Sequence, residues 1–415
     1  MLMRLIIISL CLFGSLSAQN WEQIDVLPFG GRYEDVFFLN TELGWVAASN
    51  GSVFRTQDGG NTWEEVLDTG DYLRTIDFLD ENTGFVGTLN SNFYRTTDGG
   101  ENWEAIQDSI SGGELSNICG LDHAGDHVFG VGWFAEPAYF IKSTDRGQSW
   151  SYMDMSEYAS GLVECYFVNQ QLGFVSGVSE IGAVILRTED GGDSWEEVFN
   201  SNDGIEFVWK IDFLNESLAY GSVESFSGAC SIVKTVDGGA SWTEYLVDST
   251  YRDLQGIGFL DELTGWVAPR NQPLYTTTDG GQTWSPTDLM PNVNRIFRVA
   301  PGLLYAGGSF VYRYNDLTST SFPTAGPAVV HKIQSISPNP VVSGAEVELS
   351  LANATYVRLD ILDSQGRRVR MLHSDELARG SHHIPLGNLD HLPAGTYLIA
   401  LRTPEGHISQ PFVKQ

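Results

Sequence analysis

Six near-identical phrases of eight residues recur along this chain. Each has a Thr or Ser, an Asp, one or two glycines, a further polar residue and a Trp. They run Thr56–Trp63, Thr96–Trp103, Ser143–Trp150, Thr188–Trp195, Thr235–Trp242 and Thr277–Trp284, with aspartates Asp58, Asp98, Asp145, Asp190, Asp237 and Asp279. A spacing in the forties means that one supersecondary unit is repeated, which limits the fold before any single residue is read. Each phrase predicts a tight turn. Its glycines accept positive φ, its carboxylate can bond the N–H groups that the turn leaves free, and its Trp (Trp63, Trp103, Trp150, Trp195, Trp242, Trp284) is an apolar wedge entering the next strand.

The segments between the turns supply the rest of the unit. Alternating runs such as Val53-Phe54-Arg55-Thr56 precede each turn and read as strands. About twenty residues upstream lies a second phrase, an apolar pair, a polar turn, then a small residue and an aromatic. Examples are Phe38-Leu39 with Gly44-Trp45, Phe78-Leu79 with Gly84-Phe85, Phe167-Val168 with Gly173-Phe174, Phe213-Leu214 with Ala219-Tyr220, and Phe259-Leu260 with Gly265-Trp266. Two hairpins per repeat give four short antiparallel strands, and radial repetition of such sheets is how a propeller avoids long open edges. Trp21-Glu22-Gln23-Ile24 reads as a fourth strand with nothing before it, while Arg295–Arg313 supplies three strands and no fourth. The expectation is an all-β chain: a seven-bladed β-propeller closed by its N-terminal strand, followed by a small C-terminal β-sandwich domain.

The turns resemble the Asp-box, or BNR, repeat of sialidases, sortilin-like receptors, xyloglucan-active glucanases and the photosystem II assembly and repair factors. Phe259 to Val267 and the strand–box order are most similar to the last family. The resemblance implies a propeller whose boxes are structural, so the six Asp and six Trp are assigned to holding the blades.

Composition changes past Asp316. The sequence divides into a signal peptide (1–18), the propeller (19–316), a Ser/Thr/Pro-rich linker (317–334) and a final domain (335–415). The leader has Arg4, an apolar run from Leu5 to Leu12 and small residues up to Ala18. Cys11 lacks the context of a lipid anchor, and no later stretch is apolar enough to span a membrane. In the final domain, Ser337-Pro338-Asn339-Pro340, the Asp363-x-x-Gly366 turn and Leu392-Pro393-Ala394-Gly395-Thr396-Tyr397 resemble the type A C-terminal sorting domain of the type IX secretion system. That resemblance implies export through the periplasm to the outer surface or beyond, with the secretion machinery as a partner.

The formal net charge is −30, and nearly all of it lies in the propeller, because the segment from Val330 onward has eight acidic and eight basic side chains. Such a surface repels nucleic acid and anionic polysaccharide. It also differs from the basic patch expected for the photosystem factors. The blade-to-blade loops each hold two acids (Asp68 and Asp71, Asp108 and Glu114, Asp154 and Glu157, Asp203 and Glu206, Asp248 and Asp253) on the face opposite the boxes. No cofactor is expected. Weakly held Ca²⁺ is the one metal such a face invites, and solubility alone accounts for the acids equally well.

Catalytic signals are sparse. The only propeller histidines, His123 and His127, lie in Asp122-His123-Ala124-Gly125-Asp126-His127, which reads as a hairpin turn before it reads as a metal site. Cys119 and Cys165, on neighbouring blades, are candidates for a disulfide that would leave Cys230 odd; small buried hydrophobes are the simpler role. Arg55, Arg95, Arg187 and Arg313 repeat at one position before the box and are structural, which leaves a sialidase without its carboxylate clamp. Residues at the starts of the first strands should line the channel and its rim: Glu34, Asp35, Arg74, Asn117, Glu164, Trp209, Lys210, Gln255 and Arg295, with Trp133 in an insertion on the same face. No catalytic residue is assigned. A secreted monomeric binding or scaffold protein with an unknown protein or glycan ligand is expected. The alternatives are a glycan-active hydrolase using channel carboxylates such as Asp35 with Glu164, and an assembly factor for a membrane complex by family analogy. Asp108-Ser109-Ile110 and Asp248-Ser249-Thr250 also resemble a short O-glycosylation signal.

Overall fold

The computed structural model describes residues 21–25, 27, 31–132, 137–204, 206–226, 228–250, 253–270, 272–287, 289, 292–315, 331–341, 344–352, 355–362, 368–387, 389, 392–403 and 406–415. The predicted leader, most of the predicted linker, Trp133 and the Asp363–Gly366 turn lie outside these residues. The chain divides into two compact units, Met1–Ser319 and Thr320–Gln415.

Among the described residues, the first unit holds seven four-stranded antiparallel sheets, six of them running in chain order. Their first strands are Tyr33–Phe38, Leu73–Phe78, Ile118–Ala124, Gly161–Phe167, Glu206–Phe213, Leu254–Phe259 and Arg295–Ala300, which number the blades one to seven. In blade seven the fourth strand is Trp21–Ile24, paired antiparallel with Val311–Tyr314 from Trp21↔Tyr314 to Ile24↔Val311. Trp21 stands edge-on to Trp266 and Tyr314 at centroid distances of 5.4 and 5.3 Å. Tyr33 N–H donates to Gly308 O at 2.8 Å where blade one meets blade seven.

The second recurring phrase has a packing cause. Phe38, Phe78, Phe167, Phe213 and Phe259 each lie on the aromatic of the preceding blade: Tyr305, Trp45, Phe129, Phe174 and Tyr220, at 3.8, 3.6, 3.4, 5.1 and 3.5 Å between centroids. Burying each ring stabilises by roughly 2–3 kcal/mol. The same ring also covers the residue opposite it in its own sheet. A Cβ on Gly44 or Gly265 would stand 2.5 Å from the ring of Phe38 or Phe259, so a glycine must sit there. Blades three and seven have His123 and Arg298 in place of the Phe, and the residues opposite them are Val128 and Leu304. The glycine disappears with the ring that required it.

Each box is wired alike. Its Thr or Ser hydroxyl donates to the Asp carboxylate at 2.7–3.0 Å. The same hydroxyl accepts the N–H of the glycine before the last three residues at 2.8–3.0 Å. The carboxylate accepts the N–H four residues on at 2.8–3.0 Å. The box also joins blades. Gly59 O accepts from Tyr305 Oη (2.7 Å) and Arg313, Gly99 O from Trp45 and Arg55 (3.0 Å), and Gly280 O from Lys234 (3.0 Å). Arg55, Lys142, Lys234 and Arg313 thus staple their blades to the next one, whereas Arg95 and Arg187 pair with Glu104, Glu189 and Glu196 of their own blades.

The second unit pairs a three-stranded sheet (Lys332–Ser337, Glu346–Leu351, Gly380–Pro385) with a four-stranded one, ordered Arg368–Leu377, Thr355–Leu362, Gly395–Thr403, Gly406–Lys414. Its core includes Val347, Leu349, Val357, Leu359, Ile361, Ile399 and Phe412. The first of these strands begins at Lys332, inside the stretch read as linker.

Candidate functional site

All seven first strands skip one residue in pairing with the second strand, blade seven near its end, between Arg298 and Ala300, and the other six nearer their starts. The six early breaks fall between Tyr33 and Asp35, Leu73 and Thr75, Ile118 and Gly120, Leu162 and Glu164, Val208 and Lys210, and Leu254 and Gly256. A bulge leaves the extra residue unpaired and re-aims its side chain. The residues skipped at these six are Glu34, Arg74, Cys119, Val163, Trp209 and Gln255. All but Val163 line a pocket of about 170 Å³, with Arg32, Tyr72, Leu89 and Arg270. By the antiparallel order, this mouth opens on the face opposite the boxes.

One arc of the mouth is charged. Glu34, 1% exposed, accepts from Tyr72 Oη (2.5 Å), Arg74 (2.7 Å) and Asn294 (3.1 Å), and Arg32 Nε stands 3.7 Å away. Arg32 also donates to Gln255, Gln255 donates to Asp253 at 3.1 Å, and Arg270 faces Asp253 at 3.7 Å. Trp209 Nε1 donates to Glu224. Burial first, then the charge of Asp253, pushes the Glu224 carboxyl up to about 8, so it holds its proton at neutral pH. Three arginines therefore face two carboxylates, and the mouth carries a surplus of positive charge on an otherwise acidic module. The other arc is apolar: Leu89, Cys119, Val163, Val178, Phe207 and Trp209 form one cluster. Arg74 lies over the Trp209 ring at 5.6 Å, and the half-exposed Phe226 ring meets Phe207 at 5.8 Å.

Beneath the mouth an ion network crosses the channel. Glu164 accepts from Lys210 of blade five (2.5 Å) and Arg295 of blade seven (2.8 Å), and Arg295 also stands 3.5 Å from Asp35 of blade one. Asp35 further accepts Thr75 Oγ1 (3.1 Å) and the Ile76 N–H (3.0 Å) of blade two. Asp35, Glu164 and Lys210 are 5%, 2% and 3% exposed. Burial alone would raise the Glu164 carboxyl, but Arg295 and Lys210 outweigh it and hold it below the usual range. Glu164 therefore has no proton to give, and Asp35 is saturated by donors. An ionised Glu164 is unsuited to the part of general acid in glycoside hydrolysis.

At the box-side end, Asp77, Asp122 and His123 bring ligand-type atoms within 4.8 Å of one another. His123 Nδ1 bonds Asp77 at 2.8 Å and Asp122 accepts the Phe167 N–H at 2.5 Å. Asp212 makes the same bond to Phe259 N–H (2.9 Å) in blade five, so the carboxylate here caps the next blade's first strand. Burial, with the Asp77 charge, pushes Asp122 up to about 7. Burial opposes a charged His123, yet Asp77 raises it to about 9. His127 leans on Phe129 and Asp126 pairs with Arg146 at 2.9 Å, so the four side chains of that hairpin do not converge.

Of the residues expected to line the channel, Glu34, Arg74, Trp209 and Gln255 meet at the mouth, while Asp35, Glu164, Lys210 and Arg295 form the network below it. Asn117 does not line the pocket; Cys119 does, because the bulge falls two residues later. Aligning the first strands on Tyr33, Leu73 and Ile118 would have placed Cys119 beside Glu34 and Arg74. Arg32, Tyr72, Leu89 and Arg270 carry no repeat signal. Cys119, Cys165 and Cys230 are buried and form no disulfide with one another. Among the loop acids, Asp71 accepts from Asn92 and Tyr94 at 2.9 and 2.7 Å, Asp248 from Tyr275, and Glu206 is buried.

Residues 65–162 match the family model for photosynthesis system II assembly factor YCF48, residues 275–286 the BNR/Asp-box repeat, and residues 335–415 the secretion system C-terminal sorting domain. The photosystem II assembly lipoprotein Ycf48 of Synechococcus sp. (strain CC9902) is 28% identical over 276 residues, which is 65% of this chain and 66% of that relative. A solved structure of YCF48 bound to D1 peptide superposes with a TM-score of 0.56 at 22% identity, covering 72% of this chain and 98% of the other. PorZ, an essential surface component of the type IX secretion system of Porphyromonas gingivalis, gives 0.52 at 13% identity, over 94% and 60%. These two likenesses concern the fold. The chain carries an Asp-box propeller similar to the YCF48 factors, together with a C-terminal sorting domain, as its motifs predicted.

Proposed function

We propose that this chain is a non-catalytic binding protein, delivered by type IX secretion, that holds a segment of a protein partner at the mouth of its propeller channel. The sorting domain implies export to the cell surface or outside, and no described helix is long and apolar enough to cross a membrane. One observation carries the binding reading. Five bulge residues from five blades are aimed into a single pocket, where cations outnumber ionised carboxylates on a module that is otherwise strongly acidic. That arc suits an acidic group, and the neighbouring Trp209–Phe207–Phe226 arc suits an apolar side chain beside it. The peptide named in the YCF48 structure is consistent with a propeller of this kind accepting an extended segment. The non-catalytic part rests on Glu164, which Arg295 and Lys210 hold ionised, and on Asp35, whose oxygens are engaged by Arg295, Thr75 and Ile76.

The test is selection of a random-peptide display library on the full chain. Enriched sequences should carry an Asp, a Glu or a free carboxylate next to an apolar residue. Replacing Arg32 and Arg270 together by Ala should weaken their binding at least tenfold. Enrichment of basic sequences, or binding indifferent to the double variant, would reject the assigned surface. Glycan hydrolysis lost on Glu164→Gln with the fold intact would favour the hydrolase instead.

A further inference from the structure

Three aspartates share one position of the repeat, near the box-side end of the channel. Asp77, Asp122 and Asp212 lie opposite Phe85, Phe129 and Tyr220 of their own second strands. In blades three and five this carboxylate caps the following blade, Asp122 accepting the Phe167 N–H at 2.5 Å and Asp212 the Phe259 N–H at 2.9 Å. Asp212 also has a full counter-charge, Arg298 at 3.6 Å. Asp77 faces the His123 ring at 2.8 Å instead. Among the described residues, no Lys or Arg forms an ion pair with Asp77 or Asp122.

His123 is itself a departure from the repeat. Five blades place Phe at this position, packed on an aromatic of the preceding blade. Blade three gives up that ring contact and sets an imidazole beside two carboxylates. The imidazole leans toward the axis, where it meets Phe37 of blade one at 6.3 Å, and Phe37 meets Phe297 of blade seven at 5.3 Å. Asp77 is 3% exposed. Asp77, Asp122 and His123 thus bring three ligand-type atoms within 4.8 Å of one another against an apolar wall. Two carboxylates so close and so sheltered repel, and one imidazolium can balance only one of them. A divalent ion balances both.

We propose that Asp77, Asp122 and His123 form a site for one divalent transition-metal ion of the Zn²⁺ class, which ties blade two to blade three. One imidazole nitrogen with two carboxylate oxygens is a donor set for such an ion, whereas Ca²⁺ and Mg²⁺ take oxygen ligands. Three protein ligands leave a coordination position for water. Zinc–ligand bonds of about 2.0–2.2 Å require the Asp77–His123 contact to open by roughly half an ångström as the ion enters. The Phe167 N–H already orients Asp122, the outer support that a metal-bound carboxylate needs. The site lies at the opposite end of the channel from the mouth and is independent of the ligand proposed there.

Calorimetric titration of the chelator-stripped full chain with Zn²⁺ tests this. Wild type should bind one equivalent with micromolar or tighter affinity, and the ion should raise the melting temperature of the propeller. His123→Phe restores the residue that five other blades carry, so it should fold and bind that equivalent at least tenfold more weakly. Asp77→Asn keeps the side-chain shape and should lose as much. Six of the eight histidines lie in the second unit, so Zn²⁺ held equally by wild type and both variants belongs elsewhere and overturns the proposal. Tighter binding of Ca²⁺ than of Zn²⁺ at this site overturns it too. Should His123→Phe fail to fold, Asp77→Asn decides the matter.

Discussion

At the scale of single residues, the box hydroxyl is the most consequential atom in the repeat. In blade four the Thr188 hydroxyl donates to Asp190 and accepts the buried Gly192 N–H at 2.8 Å. Thr188→Val keeps the shape and strands that donor, so the propeller should lose about 2 kcal/mol, read from the midpoint of denaturant unfolding. An unchanged midpoint would mean that the box contributes no net stability. The carboxylates predict an acid limb. Side-chain and backbone bonds hold Asp145, Asp190, Asp237 and Asp279 at about 2, below the ordinary value of 3.8. A depressed carboxyl stabilises above its unfolded pKa, and that contribution is lost as pH falls through the folded value. Melting temperature should therefore drop between about pH 4 and pH 2. The third box departs from the others: Arg146 takes the first glycine's place at φ 61° and pairs with Asp80 and Asp126.

At the scale of strands and sheets, the contact between Phe and glycine sets how blades stack. Phe38 is pinned against Tyr305 at 3.8 Å, so it cannot yield to a methyl group on Gly44. Gly44→Ala should cost about 1–3 kcal/mol. Ala219 already occupies the equivalent site in blade five, where the Phe213–Phe174 pair is wider at 5.1 Å; Ala219→Gly should change stability far less. Equal effects at the two positions would refute this account. Strand content, the box turns and the ring–glycine phrase were all legible in the sequence, because each is local and recurs, the boxes six times and the ring–glycine phrase four. The bulges were not legible. A skipped residue leaves no mark in an alternating pattern that is apolar on both faces, so the lining was read two residues off at Asn117, whereas Glu34, Arg74, Trp209 and Gln255 fall on skipped positions.

Across the whole molecule, a few charges at the axis join blades that do not otherwise touch. Arg295 of blade seven reaches Glu164 of blade four, 131 positions away, while Lys210 binds the same carboxylate. Glu164→Gln would leave buried Lys210 without its counter-charge and Arg295 with Asp35 alone, and breaking a buried pair typically costs about 3–5 kcal/mol. Thermal unfolding should show the loss at neutral pH, and high salt should not rescue it, since buried pairs are poorly screened. A variant as stable as wild type would show that the channel floor is ornamental to the ring.

What the residues alone determined is everything that rests on period. Spacing dictates the unit, the unfinished last sheet calls for Trp21–Ile24 to complete it, and the terminal motifs dictate export. Such features survive because hydrogen-bonded turns and ring contacts act between neighbours in sequence or in consecutive repeats. Tertiary structure alone decided which side chains face the axis, that the candidate acid pair is locked by Arg295, and that His123 meets Asp77. Those contacts join residues from separate blades, where closure of the ring, not local pattern, sets the distance.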